Sequence, residues 1–274
     1  MIKSGSIRKK LICTILALLL LLNISVGAGA MTGSNYDKEI EVLTKLGIVE
    51  GNAQSFSPYS KVTKLQFADM VLKMLNIQAI SVSDNQIFYD VPNEHKYFSV
   101  AETAYSLGII NGIGAGLLGG NSEISVNQAL TILLRAINQV EFAEAKGGYP
   151  VGYGIVGADL GITSGVSYSE RIAMGEACRL IFNTLNCDAK GKGYSDSKSY
   201  FATIHNVYSA KGNLTRNRYI ALPNGNGTGD NTVIISGTEF DAGTTNANDF
   251  VGCPVNLYYK HDEGSDIRTI LWIQ

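Results

Sequence analysis

The chain has 274 residues, with 22 Lys plus Arg against 24 Asp plus Glu and a formal charge of −2. A near-neutral chain without a long basic run lacks the electrostatic footprint of a nucleic-acid binder. Its four cysteines show no C-x-x-C spacing and its three histidines have no ligand-spaced partner, which argues against a disulfide scaffold, a zinc site or a metal cofactor.

Lys3, Arg8, Lys9 and Lys10 precede an apolar run from Leu11 to Leu22, and Ala28-Gly29-Ala30 then supplies a small-x-small cleavage pattern. Residues 1–30 therefore read as a secretory signal peptide, too short in its apolar core for the roughly 20 residues of a membrane span. Cleavage after Ala30 removes four basic residues and no acid, taking the formal charge from −2 to −6, and leaves no membrane span. No cysteine stands at the cleavage point, so a lipoprotein is disfavoured. Cys178 falls in an apolar helical stripe, where a small buried thiol is the commoner role, although a pair with Cys187 is conceivable.

One phrase then recurs three times: Leu46-Gly47-Ile48, Leu107-Gly108-Ile109 and Leu160-Gly161-Ile162, each closed by a glycine three residues on. Each follows helical spacing, as in Ile40, Leu43 and Leu46, and the glycine reads as a helix stop. A second helix follows each turn. Phe67, Met70, Val71, Met74 and Leu75 lie at i, i+3, i+4, i+7 and i+8, and the same spacing returns from Ala129 to Ile137 and from Ala177 to Leu185. Thr63 with Gln66 and Ser125 with Gln128 form capping-box pairs; the third copy has Ala173 at that place and lacks the cap. One helix pair cannot bury its stripe alone, so the second helices are expected to share a core.

These motifs resemble the S-layer homology family, whose repeat runs from Phe-x-Asp-Val through Gly-Ile-x-x-Gly to Thr-Arg-Ala-Glu. Phe88-Tyr89-Asp90-Val91-Pro92, His95, Tyr97 and Gly108-Ile109-Ile110-Asn111-Gly112 carry the likeness in the second copy, and Gly148 to Tyr153 resembles the opening of third repeats in clostridial proteins. The resemblance covers roughly residues 33–190. It implies a three-pronged pseudo-symmetric module whose grooves hold anionic, often pyruvylated, cell-wall polysaccharide, with the motif arginine as a principal anion contact. Thr63-Lys64-Leu65-Gln66, Ser125-Val126-Asn127-Gln128 and Ala173-Met174-Gly175-Glu176 stand in its place, and none keeps the arginine. Lys64 is left as a point charge without the planar fork of arginine. Nearby Lys73, Arg135, Arg171 and Arg179 read as solvated helix face.

Three further signals look catalytic. Gly114-Ala115-Gly116-Leu117-Leu118-Gly119 spells a dinucleotide fingerprint but has neither the strand before it nor the helix after it that pyrophosphate binding needs, and reads as the turn between two helices. No Gly-x-Ser-x-Gly elbow is present, and Glu94 with Glu102 or Glu141 with Glu144 follow helix-surface or loop patterns. The chain is therefore expected not to be an enzyme.

After Lys190-Gly191-Lys192-Gly193, read as a flexible bridge, β-type runs appear at Tyr200 to Tyr208, Thr232 to Ile235, Val255 to Tyr259 and Ile267 to Ile273. Turn clusters at Pro223 to Gly227 and Asp262 to Ser265 separate them. Asp230, Asp241 and Asp249 lack the alternation of a calcium loop and suit turns.

The expected architecture is a signal peptide (1–30), repeats at 33–80, 85–141 and 146–189 around a shared helical core, and a small antiparallel β domain at 195–274. The expected function is non-catalytic anchoring at the cell wall or S-layer of a Gram-positive-type bacterium. The expected partner is a secondary wall polymer or peptidoglycan-linked glycan, without cofactor. Candidate contacts are Lys64 with Thr63 and Gln66, and Asp90, Tyr97 and Gly112 on the corresponding surface of the second repeat. The alternative is a surface scaffold whose repeats are structural and whose β domain meets a protein.

Overall fold

The computed structural model describes residues 35–50, 57–81, 86–189, 198–221, 225–226 and 230–274. The signal peptide at 1–30 and the bridge at 190–193 lie outside them. Three helix pairs come first: α1 (Asp37–Lys45) with α2 (Lys64–Met74), α3 (Phe98–Ser106) with α4 (Val126–Ala136), and α6 (Val151–Asp159) with α7 (Met174–Leu185). A short α5 (Val140–Ala145), unforeseen in the sequence, leads into the third pair.

The expected caps form. Thr63 and Ser125 each accept from the N3 backbone while Gln66 and Gln128 reach back to the cap N–H at 2.9 Å. Ala173 has no acceptor to offer, so only the reciprocal half survives there, with the Ala173 N–H donating to Glu176 Oε2 at 2.8 Å.

The segment just before each second helix joins a cyclic backbone ring. The Val62 N–H donates to Ile172 O (3.2 Å), Ile172 N–H to Ile124 O (2.8 Å), and Ile124 N–H to Val62 O (3.1 Å). The first helical residues continue the cycle: Lys64 N–H bonds Ser122 O, Val126 N–H bonds Ser169 O, and Met174 N–H bonds Ser60 O. These bonds satisfy N–H groups that a helix start leaves unpaired, and they fix Lys64, Val126 and Met174 as pseudo-threefold equivalents. Around this axis α2, α4 and α7 bury Phe67, Leu72, Leu130, Leu133, Ile181 and Leu185 in one shared core.

The β domain is built differently from its sequence expectation at the start. Tyr200 to His205 forms a helix, α8, instead of a strand, because Ser199 caps it by accepting from Ala202 N at 3.3 Å. Phe201 then plugs into the helical core, 5.2 Å from Phe182 and 5.7 Å from Tyr258 between ring centroids. Asn206, in the left-handed conformation, ends the helix. The strands are β1 (Val207–Arg216), a small hairpin β2 (Ile220–Ala221) and β3 (Gly225–Asn226), β4 (Thr232–Ile235), β5 (Thr238–Asp241), β6 (Pro254–Lys260) and β7 (Thr269–Ile273).

Strand β1 pairs with both β4 and β6, so β1-β4-β5-β7-β6 closes on itself as a five-stranded barrel. Every pairing is antiparallel except one parallel bridge, Asp241 to Thr269, which closes the ring and makes the sheet mixed. Closure leaves these five strands without an open edge. Leu214, Val233, Ile235, Phe240, Val255 and Leu257 fill its interior. Two of the three aspartates make turns as expected, Asp230 Oδ1 accepting from Thr232 N and Asp241 Oδ1 from Gly243 N, whereas Asp249 lies in a 3-10 helix, Ala247–Phe250.

Barrel and helices share packing. Tyr258 and Trp272 rest on the helical core, Lys38 Nζ sits 4.9 Å above the Phe182 ring and 5.9 Å from that of Trp272, and Lys45 Nζ donates to Leu271 O at 2.7 Å. His205 adds a titratable bond, with Nε2 2.8 Å from Met74 O. A carbonyl only accepts, so that nitrogen carries a proton. Burial lowers the His205 pKa, the Met74 bond opposes this, and Lys260 adds to the lowering. The unfolded chain thus takes up a proton first on acidification. His205's contribution is complete above the unfolded value of about 6.5 and is lost as pH falls through the lower folded value. We expect the thermal midpoint of the wild type to drop more than that of His205→Gln between about pH 7.5 and 5.

Candidate functional site

The turn after α3 is the first element of the site. Its glycine-rich run, read above as a connector, is one: Ile113 N–H donates to Leu117 O and Leu117 N–H to Gly114 O. Gly116 has φ +71°, and a Cβ there would lie 2.5 Å from the Tyr89 ring. Asp90 braces the turn, its two carboxylate oxygens accepting from Leu118 N and Gly119 N at 2.8 Å each. Desolvation raises the Asp90 pKa, but these backbone donors outweigh it and hold the group below its ordinary value.

Lys64 crosses from the first repeat into this turn, donating to Asn111 O at 2.6 Å and Leu118 O at 2.8 Å. Lys64, Asp90 and Gly112 therefore converge on one turn, where a Cβ on Gly112 would stand 3.0 Å from Leu117 O. Thr63 serves as helix cap, whereas Gln66 and Tyr97 line a different groove. The six sequence-predicted contacts do not form a single surface.

Beside Lys64 opens a cavity of about 370 Å³ lined by Asn111, Gln128, Thr131, Arg135, Glu144, Tyr149 and Tyr153 over an apolar floor of Ile110, Ile124 and Ile132. It draws on all three repeats. Arg135, assigned above to a solvated face, stands in this groove instead. With the Asn111 amide nitrogen donating to Ile110 O, its oxygen accepts from Arg135 Nη2 at 3.2 Å. No carboxylate among the described residues pairs with Arg135 within 4.0 Å. Burial lowers the Lys64 pKa and Arg135 lowers it further, against the pull of Asp90. Among the described residues two cations thus face this groove against the single carboxylate of Glu144, which accepts from Tyr153 Oη at 3.0 Å. Tyr149 is 58% exposed and meets Tyr153 edge to face at 6.1 Å, so an open aromatic wall stands beside the charges.

A second groove, of about 240 Å³, lies along α2 and contains Gln66, Asp69, Lys73, Glu50, Lys96, Tyr97 and Met174. Here Lys73 is neutralised, 2.9 Å from Asp69 and 3.2 Å from Glu50. Desolvation lowers its pKa, and those two carboxylates more than restore it. Along α7 the equivalent position is filled from within. Arg179 lies 4.5 Å from the Tyr36 ring, donates to Gly165 O at 3.1 Å and to Asn35 O, and pairs with Glu39 at 3.3 Å.

Both histidines outside the barrel–helix contact, and Glu102, are occupied structurally. His95 Nδ1 accepts from Tyr97 N at 3.1 Å, His261 Nε2 lies 2.7 Å from Ser265 O, and Glu102 is buried and accepts from Ser81. Cys178 and Cys187 are buried and not joined to one another, Cys187 Sγ donates to Leu160 O at 3.3 Å, and burial pushes the Cys178 thiol far above its ordinary pKa. No group of three His, Cys, Asp or Glu among the described residues is arranged to hold a metal ion, and no described helix is long and apolar enough to cross a membrane.

A cyclic module of helix pairs with ligand-sized grooves between repeats is the class these observations define. The family model of the S-layer homology domain matches residues 30–68 and 87–125, so the chain carries S-layer homology repeats over these two stretches. Such repeats imply attachment at the cell surface through wall polymer in general. Over 156 residues the chain is 30% identical to a cell surface protein of Thermoanaerobacter kivui, covering 55% of this chain and 20% of that protein. It is 38% identical over 104 residues to exoglucanase XynX of Acetivibrio thermocellus, covering 37% of this chain and 9% of that one. It is 36% identical over 104 residues to an amylopullulanase of Thermoanaerobacterium thermosulfurigenes, covering 37% and 5%. The chain thus spans a fifth or less of the length of these curated relatives.

Proposed function

We propose that this chain is a non-catalytic anchor that holds an anionic cell-wall polysaccharide in the groove between Lys64 and Arg135. The observation that carries this reading is the pair of cations, one desolvated and one without a carboxylate partner, facing an open cavity beside an exposed tyrosine wall. A guanidinium meets a carboxylate with two parallel N–H donors, an ammonium adds a point charge, and a tyrosine face covers the apolar side of a sugar ring. Arg135 supplies from α4 the fork that the motif position on α2 lacks. The matrix is the wall of a Gram-positive-type cell, and the third helix pair acts as a third S-layer homology repeat. The two enzyme relatives share only 9% and 5% of their lengths with this chain, which supports an attachment role for the shared part.

The test is co-sedimentation of residues 31–274 with purified wall sacculi before and after acid extraction of their secondary polymer. Binding that disappears on extraction is the expected result. Absence of binding to both preparations overturns the reading and turns attention to a protein partner of the barrel.

A further inference from the structure

We infer that the module is univalent: of its three pseudo-equivalent grooves only the one holding Lys64 and Arg135 takes a carboxylate-bearing sugar, while the third is occupied in cis by Tyr36 and Arg179. This rests on the reading of the Lys64 groove given above.

The backbone ring makes the comparison position by position. Each groove receives the first residue of the preceding repeat's second helix, together with side chains five and nine residues along its own second helix. In the groove along α4 these are Lys64, Thr131 and Arg135. In the groove along α2 they are Met174, Asp69 and Lys73. Along α7 the pseudo-threefold correspondence puts Val126, Arg179 and Asn183 at these three positions.

Each non-binding groove fails for its own reason. Along α2, Met174 brings no charge and Lys73 is held by Asp69 and Glu50; with Lys96 the described lining carries two cations against two carboxylates and no net charge. Along α7, Val126 is buried, and Asn183 spends its amide on Ile162 O and Ser164 O at 2.9 Å each. The ring of Tyr36 lies where a Cβ on Gly175 would be, 2.3 Å from its nearest atom, so glycine at 175 is what lets the ring settle onto α7. Arg179 closes over that ring and ties it to the Gly165 and Asn35 carbonyls. An anion entering there would have to displace a cation already paired with Glu39. Avidity for the wall therefore comes from many chains or further domains, not from several grooves of one chain.

The experiment is isothermal titration of residues 31–274 with acid-released wall polymer, size-fractionated to fragments too short to bridge two grooves. One site per chain is expected, with no residual binding after the double substitution Lys64→Ala, Arg135→Ala. Met174→Lys, which places an ammonium at the pseudo-equivalent position along α2, is expected to raise the stoichiometry to two. Circular dichroism melts confirm that the variants are folded. Two or three sites in the wild type, or binding that persists in the double variant, would overturn univalence. A stoichiometry that stays at one in Met174→Lys overturns the role given to Met174. A wild type that binds no fragment overturns the groove reading itself, a result separable from the others.

Discussion

Replacing Arg135 by alanine is expected to weaken binding of extracted wall polymer about 10- to 100-fold, the equivalent of one charge-assisted hydrogen-bonded contact of about 1.5–3 kcal/mol. Neither cation of the groove has a carboxylate partner within 4.0 Å among the described residues, but two of the three N–H donors of Lys64 are already committed to Asn111 O and Leu118 O. Arg135→Lys should fall between wild type and alanine, since it keeps the charge and loses the planar fork. Arg171→Ala serves as the control. Its side chain is 70% exposed, it meets Glu123 at 3.3 Å, and it is not among the residues lining either groove described above, so its loss should leave affinity unchanged. An Arg135→Ala protein that binds as tightly as wild type would remove the groove from the anchoring mechanism. Raised salt should weaken the wild type more than the alanine variant, because the lost contact is ionic and partly exposed.

Sequence reasoning reached the helix pairs because their signals are local. The spacing of Phe67 to Leu75 and its two echoes, the caps at Thr63 and Ser125, and the glycine stops each act within a few residues. The site is not local. Lys64 and Arg135 belong to different repeats, and Tyr149 and Tyr153 to a third, so only the backbone ring through Val62, Ile124 and Ile172 brings them together. Arg135 looked like surface because on its own helix it is; it becomes a groove residue when the next repeat packs beside it. The motif position, by contrast, was readable as the place to look, and Lys64 does face the groove. In the β domain, Tyr200 to His205 has the composition of a strand, yet Ser199 caps it and the burial of Phe201 against Phe182 and Tyr258 decides for helix. Strand β1 escaped notice because Ser209, Lys211 and Asn213 point to solvent, giving a polar texture to a strand that buries one face.

Arg179→Ala is expected to cost about 3 kcal/mol of folding stability, at the low end of the 3–5 kcal/mol found when one partner of a buried ion pair is removed. Its partner Glu39 has a side chain only 6% exposed, and Arg179 is 12% exposed, so deletion strands a carboxylate in the interior. The low end applies because Lys38 Nζ, 36% exposed, stays 3.8 Å from Glu39 and screens part of that charge. At about 2–4 °C per kcal/mol for a chain of this size, the thermal midpoint should fall by roughly 6–12 °C. The pair itself need not be stabilising relative to apolar packing, because desolvating two ions offsets much of their attraction. The double substitution Glu39→Gln, Arg179→Met should therefore be less destabilised than Arg179→Ala alone, and a double-mutant cycle over the two positions measures the coupling. Equal losses in the single and double variants would mean that Arg179 acts through its bonds to Gly165 O and Asn35 O and its cover over Tyr36, and not through Glu39. Polymer binding separates this structural part from anchoring. Arg179 lines neither open groove, and the groups it leaves behind add no cation to the wall side, so folded Arg179→Ala protein should bind wall polymer with wild-type affinity and stoichiometry.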